Sequence, residues 1–423
     1  MRKMFSVFII GMLCILTASA SYAQIGIFSA NVDVDNGQLG AEGSASYDPA
    51  TDTYTVNGSG ADVWNNTGSN FHFVYREWTG DFDLRADVSV SGGLETQAWI
   101  KAMLFCAEGL EGWSNYVTTR VRRDGQYSTQ WRGGGEASDA STASALRVTG
   151  LNPARQRLVR IGNTFSTYYL HATTGEWTLI DSNEVALSET VLVGFGVCSH
   201  DLGQIATGTF SKVALGAPIE GPFDLTIDVD NGQLGAEGAA AYDAAAGIYT
   251  IDGSGADVWN NTGSNFRFVY KEWSGDFELT ADVAVAGGLE TQAWIKSMLY
   301  AAESLDGWGN YVATRVRRDG QYSTQWRGGG EASDASTASA LRVSGLNPAR
   351  QRLTRVGDSF TTSYLDAASG AWKNIDTNVV VLQDPIFLGL GVCSHDLGQI
   401  ATGTFSNIEL TGGTTDASDW QLY

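Results

Sequence analysis

The sequence predicts an all-β protein built from two tandem sandwich domains. Three observations predict it: a long internal repeat, alternation of polar and apolar residues, and recurring turns that contain glycine. Asp33 to Phe210 aligns without a gap with Asp228 to Phe405, and most aligned residues are identical. A repeat of this length corresponds to a whole domain rather than to one unit of a solenoid. We therefore expect a tandem duplication of one domain.

The alternation within each repeat indicates strands. Asp81 to Val88 alternates charged and apolar residues, which is typical of a strand with one face in water. Further strands are predicted at Arg160–Leu170 and Val191–Val197, with a hairpin over Tyr116–Arg132 whose turn is Asp124-Gly125. No segment has a convincing helical period, so many short strands predict a two-sheet sandwich in each half.

The predicted segments follow from the ends of the repeats and from local composition. Arg2 and Lys3, an apolar run and small residues ending at Ala23 predict a secretory signal peptide. No later segment is apolar enough to predict a membrane helix. The expected divisions are a signal peptide (1–23), domain 1 (24–215), a short stiff linker with two prolines (216–222), domain 2 (223–411) and a C-terminal tail (412–423). The expected location is secreted, periplasmic or cell-surface, after cleavage near Ala23.

Charge and cysteine content narrow the function classes. The formal net charge of −21 at pH 7 argues against nucleic acid and anionic membranes as partners. The mature chain has three cysteines, Cys106, Cys198 and Cys393, and an odd number cannot form a complete disulfide framework. A Cys106–Cys198 bridge is one alternative, and three buried free thiols are the favoured one.

Several short motifs occur in a recognisable order. They are Gly58-Ser59-Gly60-Ala61-Asp62-Val63-Trp64, Phe71-His72-Phe73-Val74-Tyr75, Gly80-Asp81, Trp99-Ile100-Lys101-Ala102, Gln130-Trp131-Arg132 and Gly196-Val197-Cys198-Ser199-His200. The series resembles secreted bacterial domains of unknown function in the concanavalin A-like lectin/glucanase superfamily, often labelled "regulation of enolase protein 1-like". The resemblance implies a jelly-roll sandwich in each repeat and an extracellular setting, and it supplies no catalytic residues. Relatives usually carry an Arg-Glu pair where this chain has Ala107-Glu108 and Ala302-Glu303, so a site that uses that arginine would differ here.

The hairpin is the main candidate for a binding site. A two-residue turn would place aromatic rings and guanidinium groups on one open sheet face, and sugars need both kinds of group. Trp99 and His200 could join this face from neighbouring strands. The predicted ligand-binding residues are Tyr116, Arg120, Arg122, Tyr127, Trp131, Trp99 and His200, with Tyr311, Arg315, Arg317, Tyr322, Trp326, Trp294 and His395 in the second repeat. The alternative is an arginine–aromatic ladder that only covers the sheet.

Each hairpin also gathers four arginines, which predicts a local basic patch on an acidic protein. The first repeat has Arg120, Arg122, Arg123 and Arg132, and alternation would place two of them on the aromatic face. Such a patch suits a carboxylated or sulfated glycan. If nearby acids neutralise the arginines, a neutral sugar is the expected ligand instead.

Metal binding and catalysis have weaker signals. The run Asp33 to Gly37 offers hard oxygen ligands for calcium, but it does not fit an EF-hand loop, and a turn whose side chains bond their own backbone is the alternative. Asp62 is a similar isolated candidate. His200-Asp201 has no nucleophile motif beside it. The E-x-D-x-x-E spacing that glycanases of this superfamily use is absent, and Glu108 to Glu111 is the nearest approximation.

Three functions remain open from the sequence. The first is a non-catalytic tandem protein that binds an extracellular polysaccharide, where two copies on one linker would raise avidity. The second is a structural or adhesive surface component that self-associates. The third is a glycoside hydrolase or lyase. The sequence favours the first, with no required cofactor.

Overall fold

The computed structural model describes residues 24–38, 40–64, 68–133, 148–150, 152–233, 235–259, 263–328 and 343–412. Every regular element within these ranges is a β-strand. The predicted signal peptide and residues 413–423 of the predicted tail lie outside the described residues. The part of the chain that is described contains no helix long and apolar enough to cross a membrane.

The first repeat contributes sixteen strands to the fold. They are β1 (Ala30–Val34), β2 (Ser44–Asp48), β3 (Thr53–Gly60), β4 (Val63–Trp64), β5 (Gly68–Ser69), β6 (Phe71–Thr79), β7 (Phe82–Gly92), β8 (Lys101–Ala107), β9 (Tyr116–Arg122), β10 (Gln126–Arg132), β11 (Val148–Thr149), β12 (Ala154–Ile161), β13 (Thr164–Leu170), β14 (Trp177–Glu184), β15 (Thr190–Cys198) and β16 (Asp201–Pro218).

The second repeat contributes the equivalent sixteen strands. They are β17 (Leu225–Val229), β18 (Ala239–Asp243), β19 (Ile248–Gly255), β20 (Val258–Trp259), β21 (Gly263–Ser264), β22 (Phe266–Trp273), β23 (Phe277–Gly287), β24 (Lys296–Ala302), β25 (Tyr311–Arg317), β26 (Gln321–Arg327), β27 (Val343–Ser344), β28 (Ala349–Val356), β29 (Ser359–Asp366), β30 (Ala371–Val379), β31 (Ile386–Cys393) and β32 (Asp396–Gly412).

Each repeat folds into two antiparallel seven-stranded sheets that pack face to face, and the two remaining strands, β4 and β5 or β20 and β21, form a separate pair. In domain 1, front sheet 1 has the order β1-β6-β15-β8-β9-β10-β11, and back sheet 1 has the order β2-β3-β16-β7-β12-β13-β14. In domain 2, front sheet 2 is β17-β22-β31-β24-β25-β26-β27, and back sheet 2 is β18-β19-β32-β23-β28-β29-β30. The prediction of an all-β protein with two tandem β-sandwiches is confirmed.

The predicted alternation fixes which face of each strand enters the core. On β7, Leu84, Ala86 and Val88 are completely buried in the apolar core of domain 1. The intervening Asp83 and Arg85 lie on the opposite face of back sheet 1, since successive strand residues point to opposite sides. The alternating pattern of residues 81–88 therefore predicted the strand and the face that enters the core. The expectation that its other face lies in water is wrong at Asp83 and Arg85, which are also buried.

The expectation of two separate sandwiches is wrong at the join between them. Back sheet 1 and front sheet 2 form one continuous 14-stranded sheet, because β16 pairs with β17 through Ala217↔Thr226 and Pro218↔Leu225. The predicted linker therefore contains the end of β16, and only a short turn follows Pro218. No strand is exchanged between the described sandwiches. The composition of the linker could not reveal this pairing, because it depends on two sheet edges that meet in space.

Side chains reinforce this edge pairing. The Arg85 guanidinium bonds to Asp83 at 2.7 Å within domain 1 and to Asp224 at 2.8 Å across the join. Arg155 reaches across the join to Glu272 in the same way. The Tyr270 hydroxyl donates to the Leu215 carbonyl at 3.1 Å. The two domains are thus connected by backbone, ionic and hydroxyl contacts.

Candidate functional site

The β9–β10 hairpin differs from the sequence prediction by one residue. β9 ends at Arg122 and β10 begins at Gln126, which leaves a three-residue loop with Gly125 at φ +79°. The Gly125 amide donates to the Arg122 carbonyl at 2.9 Å. A three-residue hairpin loop commonly ends in a left-handed glycine that forms a bulge. The extra loop residue shifts the register by one, and such a shift moves every side chain of one strand to the other face.

The register shift removes two predicted side chains from the candidate face in each domain. Tyr127 pairs with Val121 and Trp131 with Val117, so both point toward the sandwich core rather than toward the arginines. Tyr127 packs against Tyr169, with ring centroids 5.1 Å apart. The placement of Tyr127 and Trp131 on the arginine face was wrong, and their counterparts Tyr322 and Trp326 lie in the same way.

The remaining hairpin residues do share one face, but this face is not open. Tyr116 and Arg120 are only 1% and 2% exposed, and Arg122 is also buried. Tyr116 stacks on Phe105 and lies under the Arg132 guanidinium. The prediction of an open face is therefore wrong, and the same holds for the counterparts Tyr311, Arg315 and Arg317.

Loops cover this face because Arg132 binds their carbonyl groups. Its guanidinium donates to the carbonyls of Gly112 at 3.0 Å, Ser114 at 3.1 Å and Trp64 at 2.8 Å. Arg132 pairs with Tyr116, so it lies on the face of Arg120 and Arg122. The expected division of the arginines into two and two is thus wrong, since three of the four share one face. The guanidinium groups of these three arginines donate hydrogen bonds to acceptors of the protein itself.

A cavity of about 400 Å³ lies at the end of this face in domain 2. It is lined by Asp257, Trp259, Trp294, Arg315 and His395. Trp294, Arg315 and His395 are among the predicted site residues. Asp257 and Trp259 are not, although both belong to the Gly-Ala-Asp-Val-Trp motif found in both repeats.

The aspartate and the arginine make equivalent contacts in domain 1. Asp62 contacts Lys101 and lies 3.4 Å from His200 Nε2, as Asp257 contacts Lys296 and lies 3.3 Å from His395 Nε2. Arg120 Nε donates to Ser128 Oγ at 2.8 Å, and Arg315 makes the equivalent bond to Ser323. We call the two arrangements, Asp62/Trp64/Trp99/Arg120/His200 and Asp257/Trp259/Trp294/Arg315/His395, site 1 and site 2.

An exposed tryptophan forms one wall of each site. Trp99 is 47% exposed and Trp294 is 44% exposed, so a large part of each aromatic side chain faces solvent. The guanidinium of Arg317 lies 4.4 Å from the Trp294 ring centroid, and Arg122 lies at the same distance from Trp99. A cationic group against one indole face stabilises the ring and leaves its other face for a ligand.

The arginine under the indole is itself fixed by the protein. Arg317 donates from Nε to the Ala293 carbonyl at 3.1 Å, from one terminal nitrogen to Gln321 at 2.6 Å and from the other to Asp319 at 2.6 Å. Arg317 and Arg122 were predicted to contact ligand. Their geometry instead supports the tryptophan, because these donors already have protein acceptors.

Asp257 is ionised in site 2. Burial alone would raise the pKa of its carboxyl group, but the Lys296 ammonium and the hydrogen bond with His395 outweigh burial and hold the pKa below its usual range. Lys296 is completely buried, whereas the Asp257 carboxylate keeps partial exposure, so only the lysine end of this ion pair is away from water. Asp62 in site 1 has the same lowered pKa with the equivalent causes. Each site therefore presents a fixed negative charge beside cationic groups.

The histidine of each site sits in an unusual backbone conformation. His200 and His395 both have φ +58°, in the left-handed region that non-glycine residues rarely adopt. After β31, the Ser394 hydroxyl donates to the Asp396 carbonyl at 2.6 Å and accepts from the Asp396 amide, which holds the turn. This turn directs His395 toward Asp257. The left-handed conformation is thus part of the turn that brings the imidazole to the carboxylate.

The geometry offers little for hydrolysis. Glycoside hydrolysis generally uses two carboxyl groups, one of which must be protonated to act as the acid. Among the described residues that line site 2, Asp257 is the only carboxylate, and its lowered pKa keeps it ionised. The Ser199 hydroxyl donates to the Asp201 carbonyl, while His200 faces Asp62, so these neighbours do not form a nucleophile–base pair.

The acidic run proposed for calcium holds a turn and a neighbouring strand. The Asp35 carboxylate accepts the Gly37 amide at 2.7 Å, as in the alternative turn interpretation. Asp33 accepts the Gly43 amide at 3.0 Å and lies 2.7 Å from His72 Nδ1. In the described ranges no group of three or more His, Cys, Asp or Glu side chains is arranged to hold a metal ion.

Cys106, Cys198 and Cys393 are free and buried, which agrees with the favoured alternative. Cys106 lies in the core between the sheets, whereas Cys198 belongs to the apolar cluster on the opposite face of front sheet 1. Their positions on opposite faces separate the two sulfur atoms. Burial raises the pKa of the Cys198 and Cys393 thiols to about 11, so neither thiol is a ready nucleophile.

No protein-family model and no curated protein matches this chain. Among solved structures, it is similar to a functionally unknown protein from Saccharomyces cerevisiae, at 17% identity over 43% of this chain and 100% of that chain, with a TM-score of 0.33. It is similar to alginate lyase A1-II′ of polysaccharide lyase family-7, at 10% identity over 41% and 83% of the chains, with a TM-score of 0.29. A xylan beta-1,4-xylosidase from Bacillus halodurans C-125 matches at 9% identity over 93% and 89%, with a TM-score of 0.32. Likenesses at this level carry no argument about function.

Proposed function

We propose that this chain is an extracellular protein that binds carbohydrate without cleaving it, through site 1 and site 2. The observation that carries the proposal is the exposed tryptophan in each site, supported from below by a fixed arginine and bordered by polar groups. Sugar rings have an apolar C–H face and a rim of hydroxyl groups, so they require this combination. The extracellular location rests on the predicted signal peptide.

The tryptophan supports the proposal because its orientation is set before any ligand arrives. The backbone N–H of Trp294 donates to Gln292 Oε1 at 3.2 Å, which fixes the main chain at this position. The Arg317 guanidinium packs against the indole ring and fixes the side chain. A side chain already held in place loses little conformational entropy on binding. Such preorganisation is typical of a binding platform.

The polar groups around the platform support recognition of hydroxyl or carboxylate groups. The Asp257 carboxylate can accept hydrogen bonds from sugar hydroxyls, and Arg315 can donate them. Site 2 is lined by the guanidinium of Arg315 and the carboxylate of Asp257, and the Lys296 ammonium that pairs with Asp257 is completely buried. We infer a preference for an acidic sugar from the Arg315 guanidinium, since guanidinium groups match carboxylate geometry.

Affinity electrophoresis of the mature protein tests the proposal. The gels would contain alginate, polygalacturonate, xyloglucan or laminarin. We expect retardation in at least one acidic polymer. Trp99→Ala with Trp294→Ala should abolish it, since each substitution removes about 1.4 kcal/mol or more, or about tenfold in affinity, per site.

The matched control is Trp372→Ala. Trp372 also stacks on an arginine, with Arg352 at 4.4 Å from the ring centroid, but it lies on β30 of back sheet 2, away from site 2. The proposal would be contradicted if the double variant were still retarded. It would also be contradicted if Trp372→Ala removed the retardation equally. Release of oligosaccharides during incubation with the wild-type protein would show catalysis and contradict the non-catalytic part.

A further inference from the structure

The continuous sheet determines on which of its two sides site 1 and site 2 lie. Leu215 on β16 pairs with Leu84 and points into the core of domain 1. Ala217 lies two residues further along β16, so its side chain is on the same face of the sheet. Ala217 pairs with Thr226 of β17, which therefore also lies on this face.

The same face leads into the core of domain 2. Thr226 pairs with Val269, and Val269 is buried in the core between front sheet 2 and back sheet 2. Both sandwich cores thus lie on one face of the continuous sheet. Front sheet 1 and back sheet 2 cover that face in their respective domains.

The two sites consequently lie on opposite sides of the continuous sheet. Site 2 is on front sheet 2 itself, on the face away from the core, where Arg315 pairs with Met298. Site 1 is on the outer face of front sheet 1, beyond the core of domain 1. A straight glycan segment that occupies one site must pass around the protein to reach the other.

The join keeps this arrangement in place. The β16–β17 pairing, the Arg85–Asp224 ion pair and the Tyr270–Leu215 hydrogen bond connect the domains at three independent points. Arg85 corresponds to Thr280 in the second repeat, so the ionic part of the join belongs to this one interface and is not repeated.

We propose that the protein crosslinks glycans, because each molecule holds two separate chains, one in site 1 and one in site 2. The inference rests on the proposed carbohydrate binding. It replaces the expectation that the tandem copies act together on one chain. In that expected mode the second site would raise the affinity for a single chain through effective concentration.

Viscometry and turbidity test the inference, with the wild-type protein, Trp99→Ala, Trp294→Ala and the double variant. The polymer is whichever of alginate, polygalacturonate, xyloglucan or laminarin retards the wild-type protein most strongly. We expect the wild-type protein to raise viscosity and turbidity, and the effect to disappear when excess protein occupies every chain singly. Each single variant should still be retarded but should lose the rise in viscosity completely.

Two results would overturn the inference. One is a wild-type protein that is retarded much more strongly than either single variant but raises neither signal, since this would show both sites on one chain. The other is crosslinking that persists in a single variant. Failure of the proposed function looks different, because then no polymer retards the wild-type protein or the double variant is retarded as the wild type is.

Discussion

Replacing Lys296 with methionine tests the electrostatic organisation of site 2. The Lys296 side chain is completely buried, and its ammonium group contacts the Asp257 carboxylate. Methionine keeps most of the apolar length of lysine but removes the charge. The Asp257 carboxylate would then remain partly buried without its cation.

The structure gives the expected magnitude. Removing one partner of a buried ion pair costs about 3–5 kcal/mol, and Asp257 keeps 23% side-chain exposure and its contact with His395. We therefore expect a loss at the lower end, about 3 kcal/mol of unfolding free energy. In a domain of this size, each kcal/mol shifts Tm by about 2–4 °C, which predicts a decrease of about 6–12 °C.

Thermal and guanidinium unfolding measure the effect, with two comparisons. Lys296→Met with Asp257→Asn removes both charges and should recover most of the loss. Lys373→Met disrupts the surface pair with Asp366, where the lysine is half exposed, and should change little. The reasoning is refuted if Lys296→Met unfolds like the wild-type protein, or if the added Asp257→Asn recovers nothing.

The same pair gives a signed pH dependence. The pKa of Asp257 is lower in the folded protein than in the unfolded chain, because Lys296 and His395 outweigh the opposing effect of burial. Its contribution to stability is therefore complete above the unfolded pKa of about 3.9 and is lost as pH falls toward the folded value. The stability difference between the wild-type protein and Lys296→Met should shrink as the pH falls below about 4, and a constant difference would contradict this assignment.

Three further predictions concern the cysteines, the join and the cation of each site. Burial raises the pKa of Cys393 to about 11, so the thiols of the mature protein should react with a thiol reagent only after denaturation, and reaction in the folded state would contradict their burial. Arg85→Met should make the turn between β16 and β17 more susceptible to limited proteolysis, whereas Thr280→Ala at the equivalent position should not, and equal cleavage patterns would refute the role of the ion pairs. Arg120→Lys with Arg315→Lys should weaken retention by alginate about tenfold and retention by laminarin less, because lysine keeps the charge but loses the fork of donors; an unchanged preference would argue against recognition of acidic sugars.

The sequence predicted the sandwich architecture because local sequence patterns specify it. Alternation in residues 81–88 specified β7 and its core face, and the gapless repeat specified two copies. The pairing of β16 with β17 could not be predicted in this way. It joins two sheet edges, and Pro218 and its glycine-containing surroundings look like an ordinary linker.

The candidate site was predicted only in part, for two physical reasons. The loop at Gly125 contains three residues rather than two, and this single difference exchanged the faces of Tyr127 and Trp131. Arg132 and the loops that it binds then covered a face that alternation alone described as open. The approach of Asp62 to His200 depends on loops that are distant in sequence, so only the recurrence of the Asp-Val-Trp motif could have suggested it.

A structure of the mature protein with a bound oligosaccharide tests the central claim most directly. The oligosaccharide would come from the polymer that retards the protein most strongly. The account predicts a sugar ring over the free indole face of Trp294, with a hydroxyl or carboxylate group near Arg315 and Asp257, and an equivalent ring over Trp99. A sugar bound elsewhere on the protein, with both tryptophans uncovered at saturating concentration, would contradict it.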